Sequence, residues 1–197
     1  MTGGDRFASS GIVLAGGASR RFGSDKLAEP IDGVSLLERS VAALAGIVAE
    51  IVVVIAPDRA EPGIRTAGST PIRFVADAEP FGGPLAGLRT GLAAARGATV
   101  LVVGGDMPSM RPAVLERLLR IAPAALGDQA GVLRPLPCAL ERDPALAHAD
   151  ALLAGGERRL RALLAALGTG TLPWPEWQPD DPDGLTLVDI DERSDLT

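Results

Sequence analysis

The chain has 197 residues, enough for one domain with a full core and too few for two comfortable ones. Hydrophobic residues make up 47% and charged residues 22%, the balance of an ordinary globular protein, which excludes a disordered or fibrous chain. The formal charge of −6, with no run of Lys and Arg, excludes a general basic surface for nucleic acid, so a phosphate ligand has to be met locally.

Residues 1–10 read as a flexible N-terminus ahead of a single domain spanning 11–197; they carry Arg6 but no apolar stretch of signal-peptide length. The short apolar run 11–15 reads as a buried strand, and a turn-rich loop follows it. Ser35 and Glu38 have capping-box spacing, and Leu36, Leu37, Val41 and Leu44 recur at helical intervals, which predicts a helix over 35–45. Residues 51–56 form a β-branched run closed by Pro57, a strand buried on both faces. A third strand is expected at 72–75. Pro84 opens a helix in the favoured first-turn position, with Leu85, Leu88, Leu92 and Ala95 on one stripe, and the helix ends near Gly97.

A fourth strand at 99–103 is followed by a helix over 112–121 carrying Val114, Leu115, Leu118 and Leu119. One or two shorter strands are expected within 131–140, helical stretches over 145–153 and 158–167, and a last strand over 185–190. The proline-rich, acidic segment 173–184 reads as a surface excursion in which Trp174 and Trp177 are lid or packing residues. Strands alternating with helices predict a three-layer α/β/α, Rossmann-like domain with a mostly parallel sheet covered on both faces. No window approaches the ~18 apolar residues of a membrane span, and a cytoplasmic location with no membrane partner is expected.

A single cysteine, Cys138, excludes an intramolecular disulfide and a cysteine cage for metal, and reads as a small buried apolar residue. The one histidine, His148, falls in an Ala-rich helical stretch and reads as partly exposed, so no Ser-His-Asp triad is indicated. Lys26 is the sole lysine beside eighteen arginines, as if a compact ammonium were needed there and a planar guanidinium would not serve.

The densest chemical signal is Leu14-Ala15-Gly16-Gly17-Ala18-Ser19-Arg20-Arg21-Phe22-Gly23-Ser24-Asp25-Lys26, directly behind the first strand. Its glycines let the backbone approach a phosphate chain and donate amides to it, while Arg21 and Lys26 supply cations. The spacing is neither that of the Walker phosphate loop nor that of the dinucleotide fingerprint. Asp77 and Asp106 also follow strands, and Asp191 follows the strand expected at 185–190. The crevice of an open α/β sheet lies at those strand ends. Taken singly, each feature has a second reading. Asp106 could cap a helix, Gly83-Pro84-Leu85-Ala86-Gly87 could be a helix start packed on the sheet, and Glu157-Arg158-Arg159 could be a solvated turn.

The loop resembles the signature Leu-Ala-Gly-Gly-x-Ser-x-Arg-Met-Gly-x-Asp-Lys of molybdenum cofactor guanylyltransferases, the MobA family, with Phe22 in place of Met. Asp77 with Gly83-Pro84-Leu85-Ala86-Gly87, Gly105-Asp106-Met107-Pro108 and Gly156-Glu157-Arg158-Arg159 resemble further family segments in order and spacing. Val188-Asp189-Ile190-Asp191 stands where the family has Val-Asn-x-Asn, and Glu192-Arg193-Ser194 covers its usual Thr-Pro. Ile55 occupies a position where some relatives carry Asn. The resemblance implies a nucleotide-diphospho-sugar-transferase-like fold and transfer of a guanylyl group from GTP to the terminal phosphate of molybdopterin. It also implies Mg²⁺ and transient contact with molybdoenzymes or their chaperones. By the same resemblance, Arg21, Lys26 and Asp106 would be catalytic and Asp106 and Asp191 would hold the metal. Leu14, Ala15, Gly16, Gly17, Lys26, Asp77 and Asp106 would bind the nucleotide, and Gly83, Pro84, Glu157, Arg158 and Arg159 the acceptor. A molybdopterin cytidylyltransferase, to which the Asp189-x-Asp191 pair is closer, a phosphosugar nucleotidyltransferase, and a non-catalytic nucleotide-binding module are the alternatives.

Overall fold

The computed structural model describes residues 9–16, 26–28, 30–64, 68–77 and 82–190, the side chain of Lys26 excepted. In chain order, β1 (Ser9–Ala15) precedes a small hairpin of β2 (Pro30–Ile31) and β3 (Val34–Ser35), then α1 (Leu36–Leu44), β4 (Glu50–Ile55) and β5 (Ile72–Ala76). Next come α2 (Pro84–Ala94), β6 (Thr99–Gly104), α3 (Pro112–Arg120), β7 (Ala124–Gly127) and β8 (Leu133–Glu141). The chain continues through α4 (Arg142–Ala154), α5 (Leu160–Ala166), β9 (Gly170–Leu172) and the one-turn α6 (Trp174–Trp177). Among the described residues the main sheet has seven strands in the order β5-β4-β1-β6-β8-β7-β9. Neighbours from β5 to β6 run parallel, β8 is antiparallel to both β6 and β7, and β9 is parallel to β7.

Side chains alternate across the pleat, so each central strand feeds two cores. Val13, Ile51, Val53, Leu101 and Val103 pack with α1 and α3, whereas Ile12, Val52, Val54, Val100 and Val102 pack with α2, α4 and α5. The helices sit as predicted on both faces. Ser35 caps α1 in a complete capping box, its hydroxyl accepting from the Glu38 amide while the Glu38 carboxylate accepts from the Ser35 amide at 3.0 Å. Pro84 and Pro112 open α2 and α3, and the α3 face bearing Val114, Leu115 and Leu118 is fully buried. Cys138 is buried as expected, and its thiol is pushed up to about 12 by desolvation. Trp177 is fully buried, a packing residue, and donates its indole N–H to the Gly127 carbonyl at 3.0 Å.

The C-terminal strand expected at 185–190 is not formed. Gly184 adopts a left-handed φ of 69°, and the Thr186 amide donates to Asp181 Oδ2 at 2.6 Å. Leu187 and Val188 then donate back to Gly184 and Leu185, which winds Leu185–Leu187 into a 3-10 turn. Backbone groups that a ladder needs are thus satisfied locally. The hairpin of β2 and β3 was absent from the sequence reading; its turn, Asp32-Gly33, has positive φ at both residues, the requirement of the tightest hairpin turn. The helix expected from 158 begins at Leu160, because the Glu157 carboxylate holds the amides of Arg158 and Arg159 ahead of it.

Candidate functional site

From β1 the chain moves outward to β4 and β5, then returns to place β6 on the other side of β1. That reversal opens a crevice at the carboxyl ends of β1 and β6. Leu14 and Gly104 are register partners there, and the Gly105 amide donates to the Leu14 carbonyl at 3.0 Å. A Cβ on Gly105 would lie 3.3 Å from that carbonyl oxygen and 3.4 Å from Leu27 Cδ1, so glycine lets the strand ends close on each other. Leu14, Ala15 and Gly16 therefore sit beside Asp106, which is half-buried just past the end of β6. Lys26 begins a one-turn 3-10 helix, Lys26–Ala28, whose next residue, Leu27, is buried against the same corner. Gly17, Arg21 and Asp191 lie outside the described residues.

Asp77, directly after β5, donates its amide to the Ile55 carbonyl at 2.8 Å and accepts from the Thr90 hydroxyl on α2 at 3.3 Å. Its Oδ2 lies 3.5 Å from where a Cβ on Gly87 would be, so the second glycine of the Gly-Pro-Leu-Ala-Gly segment is a packing residue under Asp77. The first, Gly83, has φ 84°, and a Cβ there would come within 3.1 Å of Arg158 Cβ. The Leu85 amide at the start of α2 donates to the Arg158 carbonyl at 3.2 Å, which fastens α2 to the Glu157-Arg158-Arg159 segment.

On the far side of Asp106 lies a cleft of about 480 Å³, walled by Pro84, Asp106, Arg134, Arg159, Arg161 and Asp189 among others. The neighbouring arginines of the Gly-Glu-Arg-Arg segment have separate tasks. Arg158 Nη1 donates to the carbonyls of Leu153 and Glu157, both at 3.0 Å, while Arg159 lines the cleft. Glu157 aims Arg159, accepting from its Nε at 2.9 Å and Nη2 at 2.6 Å. That guanidinium, with the amides of Arg159 and Arg158, holds the Glu157 carboxyl down at about 2, and the same pairing raises Arg159 above its ordinary value.

Two cleft cations, Arg134 and Arg161, were missed in the sequence reading. Arg134 lies in β8, where a charge at the start of a strand pattern is the one hint of a ligand-facing position; Arg161 carries no such hint. Among the described residues no group of three or more His, Cys, Asp or Glu could cage a metal. Asp106 and Asp189 line one cleft, however, and Mg²⁺ needs one or two carboxylates when phosphates supply the rest. That donor set fits a metal brought in with a nucleotide.

A doubly wound sheet with a carboxylate at its switch point and cations across the cleft defines a phosphate-handling α/β protein. Residues 11–171 match the family model described as the MobA-like NTP transferase domain, and the chain belongs to that family of nucleotidyltransferases. It is 34% identical to the molybdenum cofactor guanylyltransferase of Rhodobacter capsulatus over 91% of this chain and 94% of that one. To the molybdenum cofactor guanylyltransferase of Xanthomonas euvesicatoria pv. vesicatoria it is 38% identical over 80% and 79%. Molybdopterin-guanine dinucleotide biosynthesis protein A from Archaeoglobus fulgidus shares the fold, with a TM-score of 0.75 at 21% identity over 95% of this chain and 94% of that one. Among the described residues no helix is long and apolar enough to cross a membrane.

Proposed function

We propose that the protein transfers a guanylyl group from GTP to the terminal phosphate of molybdopterin. The observation that carries the reading is Asp106, set between the end of β1 on one side and an arginine-walled cleft on the other. The nucleotide phosphates would lie over Leu14, Ala15, Gly16 and Lys26, with Asp77 orienting the nucleoside, and the acceptor phosphate would enter among Arg134, Arg159 and Arg161. Family membership and the names of the relatives support this assignment of substrates.

An acceptor oxygen attacks the α-phosphorus of GTP, a new P–O–P bond forms, the α–β bond breaks, and pyrophosphate leaves with the electron pair. A phosphate monoester, with a second pKa of about 6, is already an anion at neutral pH, so no general base is required. What the chain supplies is alignment and charge. Asp106, with Asp189 or Asp191, would hold Mg²⁺, which supplies Lewis-acid stabilisation of the phosphoryl charge when bound. Lys26 and Arg21 would offset charge on the leaving pyrophosphate, and Arg159, held by Glu157, would steady the incoming phosphate.

The test is pyrophosphate release from GTP and from CTP, each with and without molybdopterin. Release from GTP that depends on molybdopterin is expected. A preference for CTP would make the chain a cytidylyltransferase, and release that ignores molybdopterin would point to another phosphate acceptor.

A further inference from the structure

Past Arg134 lies a second chamber of about 310 Å³. Arg134 and Leu187 line both chambers, so the two adjoin. Its other walls include Trp174, Trp177, Asp128 and Asp183. The two indoles meet edge to face with centroids 4.4 Å apart, and Trp177 is anchored in the core. Trp174 is pinned on another side by Gly184, where a Cβ would lie 3.2 Å from its Cζ3. The result is a half-buried aromatic wall with little freedom to turn.

The carboxylates differ in what remains open to a ligand. Asp128 Oδ1 accepts the amides of Ala130 and Val132, at 3.0 and 2.9 Å, and its Oδ2 faces Arg134 Nη1 at 3.6 Å. Asp128 thus closes the turn between β7 and β8 and aims Arg134. Asp183, exposed at the corner before Gly184, has no hydrogen bond or ion pair among the described residues. A fixed indole, an open carboxylate and a held guanidinium together suit a flat fused heteroaromatic ring with N–H donors on one edge and a carbonyl nearby. The 2-amino and N3–H groups of a pterin pair with a carboxylate, and its 4-oxo group accepts from a guanidinium. The volume is near the lower bound of small-molecule pockets, roughly 300 Å³, which suits a bicyclic ring better than a whole nucleotide.

We propose that this second chamber is the subsite for the pterin ring of the acceptor, Trp174 stacking on it and Asp183 reading its 2-amino edge. The inference rests on the guanylyl-transfer reading, since it places the phosphate of the same acceptor beside Arg159 and Asp106. Steady-state kinetics on Asp183→Asn, Trp174→Ala and Trp174→Phe test it. In the first two, the KM for molybdopterin should rise about tenfold with kcat and the KM for GTP unchanged, the pattern of lost uniform binding. Trp174→Phe, which keeps an aromatic face, should recover most of the loss.

Asp183 is exposed, so its variant should fold, and an unchanged molybdopterin KM in Asp183→Asn with a wild-type melting curve would overturn the proposal. A rise in the GTP KM in its place would mean that the chamber reads guanine, and would overturn it equally. If the wild-type protein releases no pyrophosphate from GTP and molybdopterin, the guanylyl reading fails, and direct calorimetric titration with 2-amino-4-oxopteridine decides the chamber separately. Binding lost in Asp183→Asn would support the subsite; equal binding in both proteins, or none in either, would overturn it.

Discussion

The two halves of the sheet are built differently and face different ends of the cleft. From β5 to β6 the strands are parallel, and β1, β4 and β6 are apolar and buried on both faces, a rigid frame whose strand ends carry Leu14 to Gly16, Asp77 and Asp106. From β8 to β9 the pairing is mixed. In β8, Leu133 to Leu136 are half-buried and contribute Arg134 to the cleft, while Pro137 to Leu140 are buried in the sheet. One half therefore offers backbone and carboxylates at fixed strand ends, and the other offers Arg134, a long cationic side chain beside Asp128, next to the Glu157-held Arg159. A nucleotide site that is the same in every turnover suits the first, and a second substrate with its own ring and phosphate suits the second.

Asp106 belongs to both halves, so its loss should have the largest effect. For Asp106→Ala, kcat is expected to fall on the order of 1,000-fold while GTP still binds, measured by pyrophosphate release and by calorimetry. Gly104→Ala sharpens the point without removing a functional group. The new Cβ would stand 2.5 Å from Asp106 Oδ1 and 3.2 Å from Met107 Cγ, so the carboxylate must move. A displacement near 1 Å is enough for a loss of roughly 100-fold in kcat. Wild-type activity in this variant would show that the carboxylate position is uncritical.

Glu50 lies at the opposite end of the parallel half, 10% exposed, accepting from Ser10 Oγ at 2.9 Å, the Arg96 amide at 2.8 Å and Arg73 Nη2 at 3.0 Å. Glu50→Ala should lower stability by about 1–3 kcal/mol in urea unfolding and leave kcat intact. Burial alone would raise the Glu50 carboxyl, but the Arg96 amide, Ser10 and Arg73 outweigh it and leave it below the ordinary 4.5. Its contribution is therefore present above that value and is lost as pH falls through the lower folded one. The smallest effect is expected on the mixed half, where Glu157→Gln frees Arg159 and should raise the acceptor KM about threefold with no change in the GTP KM. Because the Glu157 carboxyl is held at about 2, its hold on Arg159 should persist from neutral pH down to 4.5 and weaken between 4.5 and 2.

The parallel half was also the half most legible in the sequence. Its strands are continuous β-branched runs, its first helices begin at a capping box or a proline, and each predicted strand there lies within two residues of the observed one. The mixed half resisted because its signals are tertiary. β7, Ala124–Gly127, is a short Ala- and Gly-rich stretch with weak strand character and was not expected, whereas β8, Leu133–Glu141, falls where one or two strands were expected within 131–140 even though Pro135 and Pro137 argue locally against one. The segment after Gly184 has the apolar alternation of a strand, yet Asp181 and Thr186 bend it into a turn through contacts no periodicity reveals. The placement of Asp77 and Asp106 at strand ends was legible because they follow strong strands. Arg161 was not, since nothing local distinguishes a cleft arginine from a solvated one, and Arg134 offered only its place at the start of a strand pattern. The separation of Arg158 from Arg159 likewise depends on where the Leu153 carbonyl lies.

The division of labour between the two halves is tested most directly by a crystal structure of the protein with GTP and Mg²⁺ in the absence of acceptor. The triphosphate is expected over the carboxyl end of β1, with the metal on Asp106 and the cleft among Arg134, Arg159 and Arg161 left open. A triphosphate seated among those three arginines would contradict it, and would assign the nucleotide to the mixed half.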